Sequence, residues 1–296
     1  MTTSVAERTG RSVAFPRKRL VWEAELAIDE TDPFFFDHPL EHVPAMLMME
    51  SALALAGEAV AAAGHGQPHG FRQLALEFHR FCELNSQPTM RVWEAERPGH
   101  WRVELRQNDT LIAAGSVAPF AARGEEAADD TPLPGAVPPV PAVLVHRARQ
   151  ENVLIGALCR RGTDDYTAEL LTPPPRHHLR RVGGRLRPLG ELIEGVRQFV
   201  TLLGHEARDV AVDHRLVVTR IEITLERPVR RAERVLLRTR SLPEARRRGT
   251  GTMSFSLSGA GDAGDIGTAQ VTGVAMSAEA YARLRASRRQ SGEAAR

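Results

Sequence analysis

Residues 45–64 read AMLMMESALALAGEAVAAAG, and the way this stretch folds decides how the rest of the chain is arranged. Pro44 precedes it and Gly64 closes it. Proline suits the first helical turn and glycine suits the turn past the last, so the run predicts a helix. Apolar residues occupy almost every side of that helix, which places it inside something rather than on a surface. The segments that follow supply the wrapping. Phe71–Cys82, Thr89–Glu96, Trp101–Gln107 and Leu111–Phe120 read as strands. In QLALEFHRF and WRVELRQ, apolar and polar residues alternate as in antiparallel strands with one buried face.

The same order recurs downstream. Strand candidates Asn152–Cys159 and Tyr166–Leu171 lead to Pro188, which opens LGELIEGVRQFVTLLGHEA as a second helix. Strands at His214–Glu226, Val235–Ser241, Gly251–Leu257 and Ile266–Met276 follow, and a short amphipathic helix, Ala278–Ala286, comes last. Pro44 precedes Glu50 by six residues, and Pro188 precedes Glu194 by six. Each half is therefore a buried helix with antiparallel strands, and a sheet curling around a central helix buries both. The fold class expected is α+β, a double hotdog, with one helix wrapped by one curved sheet in each unit. The units span 20–122 and 142–286. Between them, 123–141 (RGEEAADDTPLPGAVPPVP) is acidic and then Pro-rich, with no hydrophobic period, and reads as a linker. Flexible ends are expected at 1–19 and 287–296.

Composition narrows the function. Of the 296 residues, 42% are hydrophobic, too many for wholesale disorder. No uncharged apolar run approaches about 18 residues and no apolar core follows the N-terminal charges, so neither an integral membrane protein nor a secretory signal is expected. Two cysteines, Cys82 and Cys159, make no disulfide framework, and both read as buried packing residues of a chain in a reducing cytoplasm. The net charge of +2 conceals −8 over residues 1–140 and +10 over 141–296. An Arg-rich half could attract a phosphate or an acidic protein, but no groove-reading motif points to nucleic acid.

Glu50 carries the most information. It sits among Met46, Leu47, Met48, Met49, Leu53 and Leu55. An ionised carboxylate there must be paired, open to a cavity, or raised in pKa, and the last suits general acid–base work. The plainer alternative is one polar stripe on a buried helix. Glu194 matches it in register, with Arg197 three residues on and on the same face, as a local ion pair requires. Ahead of the first helix, DPFFFDHPLEHVP offers Asp37, His38 and His42, which could orient a carbonyl or move protons. Their spacing with Glu41 matches no metal-ligand pattern, and neither metal nor cofactor is expected. The free N–H groups of the helix's first turn could receive an oxyanion. Ahead of the second helix, PRHHLRRVGGRLRP carries Arg176, Arg180, Arg181, Arg185 and Arg187, an anion cradle or, more simply, a solvated basic loop. Arg230, Arg231, Arg234 and Arg246–Arg248 read as strand ends and turns.

These motifs resemble the A-factor biosynthesis (AfsA-type) hotdog family, whose members make γ-butyrolactone-type signalling molecules. FFFDHPLEHVPAMLMMESA (34–52) and FRQLALEFHRFCEL (71–84) are similar to the family's second unit. VHRARQENVLI (145–155), LIEGVRQ (192–198) and SAEAYARLR (277–285) are similar to its first, so the units stand in swapped order. The resemblance implies acyl transfer from a β-ketoacyl thioester on acyl carrier protein to dihydroxyacetone phosphate or a like hydroxyl, followed by condensation to a butenolide phosphate. It implies Glu50, Glu194 and Arg197 as catalytic groups; the residues ahead of the two helices, Asp37, His38, His42, His177 and His178, are the expected substrate-binding groups. The family's E-x-x-R-Q is altered after Glu50 to Ser51, Ala52, Leu53, Ala54, and its His-Pro-Phe-Phe run is replaced in the second unit by His177, His178, Leu179. The alternatives are a hotdog thioesterase or dehydratase using Glu50, and a non-catalytic acyl-binding module.

Overall fold

A computed structural model of the chain describes residues 11–14, 20–66, 68–121, 137–180, 184–239, 250–260 and 264–293. Most of the expected linker, together with Arg181 and Arg246–Arg248, lies outside the described residues. The strands are β1 (Arg11–Ala14), β2 (Leu20–Glu25), β3 (Phe71–Phe78), β4 (Thr89–Glu94), β5 (Trp101–Gln107) and β6 (Thr110–Pro119) in the first unit. In the second they are β7 (Cys159–Arg160), β8 (Tyr166–Leu170), β9 (Arg215–Leu225), β10 (Val235–Thr239), β11 (Thr250–Gly259) and β12 (Asp265–Met276). The helices are α1 (Ala45–Val60), α2 (Leu189–Arg208) and α3 (Ala278–Glu293).

All twelve strands form one antiparallel sheet in the order β1-β2-β4-β5-β6-β3-β9-β12-β11-β10-β8-β7. Read outward from its middle, the first unit runs β3-β6-β5-β4-β2 and the second β9-β12-β11-β10-β8. Corresponding strands occupy corresponding places, so the two halves share one topology. The units join where β3 pairs with β9, from Gln73 opposite Thr224 to Glu77 opposite Arg220.

Alternation sets the faces. Along β5, Trp101, Val103 and Leu105 are buried, while Arg102 points out. The inner faces of the sheet close on α1 and α2, which also touch each other. α1 and the π-turn after it make a 21-residue helix long and apolar enough to cross a membrane. Here Met46, Met49, Leu55 and Ala56 lie in the core against the sheet, which accounts for that composition. The helix ends at Gly64, whose φ of 84° only glycine adopts without strain.

Several expectations need correction. Residues 11–14 are an edge strand paired with β2, rather than part of a loose N-terminus, and β2 itself gave no clear sequence signal. The expected strand Asn152–Cys159 shrinks to β7, preceded by a 3-10 turn and isolated bridges at Ile155 and Gly156. Cys159 sits exposed at that edge, whereas Cys82 is buried. The end of the expected linker is packed: Pro139 bridges to Gly156, and Val140 is buried. α3 continues seven residues past Ala286, through most of the tail expected to fray.

Candidate active site

α1 and α2 cross close to their N-terminal ends, where Glu50 meets Gly190. A methyl group on Gly190 would fall 1.4 Å from Glu50 Oε1, so the absence of a side chain is what lets the carboxyl lie there. Glu50 is partly buried as a residue, but Oε1 is sealed from solvent and has no hydrogen-bond partner. Burial pushes its pKa up to about 7, and the nearby charge of His178 only partly opposes this. A carboxyl held there can both take and return a proton near neutrality.

Glu194 is fully buried but caged. Arg147 donates to Oε1 through Nε (3.1 Å) and Nη2 (2.8 Å). Arg197 donates through Nε to Oε2 and through Nη2 to Oε1, both at 2.8 Å, and Gln198 Nε2 donates to Oε1 at 2.6 Å. Burial alone would raise this acid, yet Arg147, Arg197 and Gln198 hold it down to about 2. It is a fixed anion and a strut rather than a proton carrier. The spacing that suggested an ion pair with Arg197 does form one.

The loop before α1 is tied into the same cage. Arg147 Nη1 donates to the Phe34 carbonyl at 2.7 Å and lies 3.5 Å from Asp37 Oδ1. Asp37 also accepts from Asn152 Nδ2 (3.3 Å) and the Ala148 N–H (3.2 Å). Burial pushes Asp37 up, but His38, Arg147 and Asn152 together keep it below its ordinary value. Its Oδ1 lies 2.6 Å from His38 Nδ1, an aspartate–histidine pair with the ring's far side partly exposed.

Phe34 links this cage to the loop before α2. The Arg147 guanidinium lies 4.7 Å from the Phe34 ring centre, and His177 and His178 pack on the same ring at 4.9 and 5.5 Å. His178 Nδ1 is 3.5 Å from Asp32 Oδ2. Glu194, Arg197, Asp37, His38, His177 and His178 are thus joined by contacts, and Glu50 lies against Gly190 of α2 within reach of the charge of His178. His42 turns elsewhere. Its Nδ1 bonds the Tyr281 hydroxyl of α3 at 3.1 Å and its ring packs on Phe81, beside the buried Arg285–Glu83 pair. Burial and Arg285 depress its pKa to about 4.

The arginine-rich loop is mostly spent internally. Arg187 and Arg231 clamp the buried Glu191, Arg180 donates to the Pro173 carbonyl, and Arg234 pairs with Glu169. Arg176 and Arg185 are the exposed ones among its described residues. Among the described residues, no three His, Cys, Asp or Glu side chains are grouped to hold a metal ion. Two adjoining grooves of about 650 and 300 Å³ share Arg102, Ala114, Gly115 and Ser116. Alternation puts the side chains of Arg102, Ala114 and Ser116 on the outer face of the sheet, away from α1 and α2, and neither groove is lined by Glu50 or Glu194. Glu194 and the Oε1 of Glu50 are shielded from solvent by the surrounding side chains.

The A-factor biosynthesis hotdog domain matches this chain over residues 11–122 and again over 128–277. The chain belongs to the AfsA family. A relative from Streptomyces virginiae, 2-oxo-3-(phosphooxy)propyl 3-oxoalkanoate synthase, is 40% identical over 96 residues, covering 30% of this AfsA-family chain and 31% of that protein. Solved structures share the fold at low identity. The dehydratase domain of a mycocerosic acid synthase-like polyketide synthase aligns with a TM-score of 0.57 and 16% identity, over 93% of this chain and 98% of its own. The dehydratase domain of PpsC from Mycobacterium tuberculosis aligns at 0.56 and 17%, over 91% and 98%. A tesB protein of Mycobacterium avium subs. paratuberculosis aligns at 0.52 and 13%, over 86% and 92%.

Sequence reasoning missed Arg147, Asn152, Gln198 and Phe34 as parts of the site. Gln198 was within reach, since it stands four residues after Glu194 on the same helical face. Arg147 and Asn152 lie 47 and 42 residues before Glu194, in a segment without regular period, so only folding brings them to it.

Proposed function

We propose that this AfsA-family chain is an acyltransferase. It would move a β-ketoacyl group from a thioester on acyl carrier protein to dihydroxyacetone phosphate or a similar hydroxyl acceptor. The observation that carries the reading is Glu50: a sealed, unpartnered carboxyl oxygen on an acid with a pKa near 7. In the step proposed, the acceptor hydroxyl oxygen attacks the thioester carbonyl carbon while its proton passes to Glu50. The carbon–sulfur bond then breaks, and Glu50 returns the proton to the departing thiolate, giving ester and free thiol. Glu194 and Asp37 together balance the charges of Arg147 and Arg197, so the part of this cluster is to hold the Phe34–His38 loop in place. The match to the Streptomyces virginiae synthase supports this direction over part of the chain.

The test is to mix the purified protein with a β-ketoacyl thioester and dihydroxyacetone phosphate and look for the ester, or the butenolide phosphate formed from it, by mass spectrometry. A folded preparation that releases no thiol and forms no ester would overturn the reading. The Asp37–His38 pair and the dehydratase and thioesterase folds favour one second reading, in which water or a β-hydroxyl replaces the acceptor. Free acid or enoyl product formed without acceptor would establish that instead.

A further inference from the structure

The buried side-chain polar atoms without a partner, among the described residues, are Glu50 Oε1, His177 Nε2, Arg187 Nε and Arg285 Nε. The two guanidinium nitrogens belong to side chains whose other nitrogens are engaged in ion pairs. The remaining two are Glu50 Oε1 and His177 Nε2. Glu50 is on α1, and His177 is in the loop before α2, next to the His178 whose charge reaches Glu50. A buried polar atom left unmatched costs about 1–3 kcal/mol, so each of these two points to a ligand group that would match it.

The tautomer of His177 is set by its surroundings. The Leu179 N–H donates to Nδ1 at 3.2 Å, which makes Nδ1 the acceptor and leaves the proton on Nε2. The ring is only 6% exposed and is held edge-on to Phe34 at 4.9 Å. Burial, then the Arg147 charge, lowers its pKa to about 4, with Glu194 and Asp32 opposing and His178 adding to the effect. It is a neutral imidazole with one N–H aimed at nothing, a donor of the kind that polarises a carbonyl without giving up its proton.

We infer that His177 is a catalytic hydrogen-bond donor to the thioester carbonyl oxygen. The substrate then presents two complementary groups, a carbonyl oxygen to His177 Nε2–H and an attacking hydroxyl to Glu50 Oε1. The inference takes its substrate from the acyl-transfer reading above.

The experiment uses the full chain and a β-ketoacyl N-acetylcysteamine thioester labelled with ¹³C at the thioester carbonyl. Infrared difference spectra of the bound thioester are recorded for wild type, His177→Phe and His177→Gln, each first checked for folding by circular dichroism. The expected result is a carbonyl band shifted to lower frequency on wild type, unshifted on His177→Phe and partly shifted on His177→Gln, which keeps an N–H donor. With acceptor present, kcat should fall about 10²–10³-fold in His177→Phe with KM for the thioester little changed. An equal band shift in wild type and His177→Phe, or kcat within threefold, would overturn the inference. If His177 governs the band but no ester forms, the acyl-transfer reading fails while the donor role stands. If ester forms and the band ignores His177, the reverse holds.

Discussion

Glu50 and Glu194 stand at the same step of two like helices, six residues beyond a proline, yet they end in opposite states. Glu194 has Arg197 and Gln198 three and four residues on, and Arg147 reaches it from outside the helix. Glu50 has Leu53 and Ala54 at those steps, and its carboxyl meets the bare backbone of Gly190. The burial is similar and the neighbours differ, so one acid is locked as an anion near pKa 2 and the other is poised near 7. What separates the two acids is three side chains around Glu194, two supplied by its own helix and Arg147 by the fold.

The largest effect should come from breaking the strut. Glu194→Ala leaves the buried Arg147 and Arg197 with Asp37 as their remaining counter-charge and should cost about 3–5 kcal/mol in urea unfolding. Glu50→Gln, by contrast, should keep the fold and lower kcat about 10²–10⁴-fold in the ester-forming assay. Loss of stability without loss of rate in Glu50→Gln would reverse the two assignments.

Gly190→Ala sharpens the contrast at its point of contact. The added methyl collides with Glu50 Oε1 and should lower kcat about 10²-fold by displacing the carboxyl. Gly204→Ala is the control, since its nearest neighbour is Val210 at 3.9 Å; there the change should be neutral or stabilising by up to about 1 kcal/mol.

The most gradual effect is in pH. Glu50 titrates at about 4.5 when unfolded and about 7 when folded. Between those values the folded state keeps a proton that the unfolded state has released, so the contribution of Glu50 to stability is full below pH 4.5 and falls as pH climbs through 7, by about 3 kcal/mol. Leu53→Arg places a cation where the second unit has one. It should flatten that slope in thermal melts across pH 4–8 and move the acid limb of the pH–rate profile down by about 1–3 units. An unmoved limb would show that residue 53 does not set the difference.

The two helices, the β5 alternation and the duplication were legible because each depends on local period: a stripe for a helix, alternate residues for a strand, a proline six residues before an acid. β1, β2 and the shortened β7 were not, because edge pairing depends on what lies alongside and leaves little pattern in the strand itself. The burial of α1, fit by length and composition to cross a membrane, is a property of the sheet around it.

The site divides the same way. The chain's own order places Glu50, Glu194 and Arg197 at matched steps and provides Asp37–His38 and His177–His178 ahead of the two helices. Only the folded molecule delivers Arg147 and Asn152 to Glu194 and Asp37, turns His42 toward Tyr281, and sets Gly190 under Glu50. Helical spacing is written in neighbours three and four residues apart. The charge state of a buried acid also depends on what distant segments of the chain bring within about 4 Å, and that distance exists only after folding.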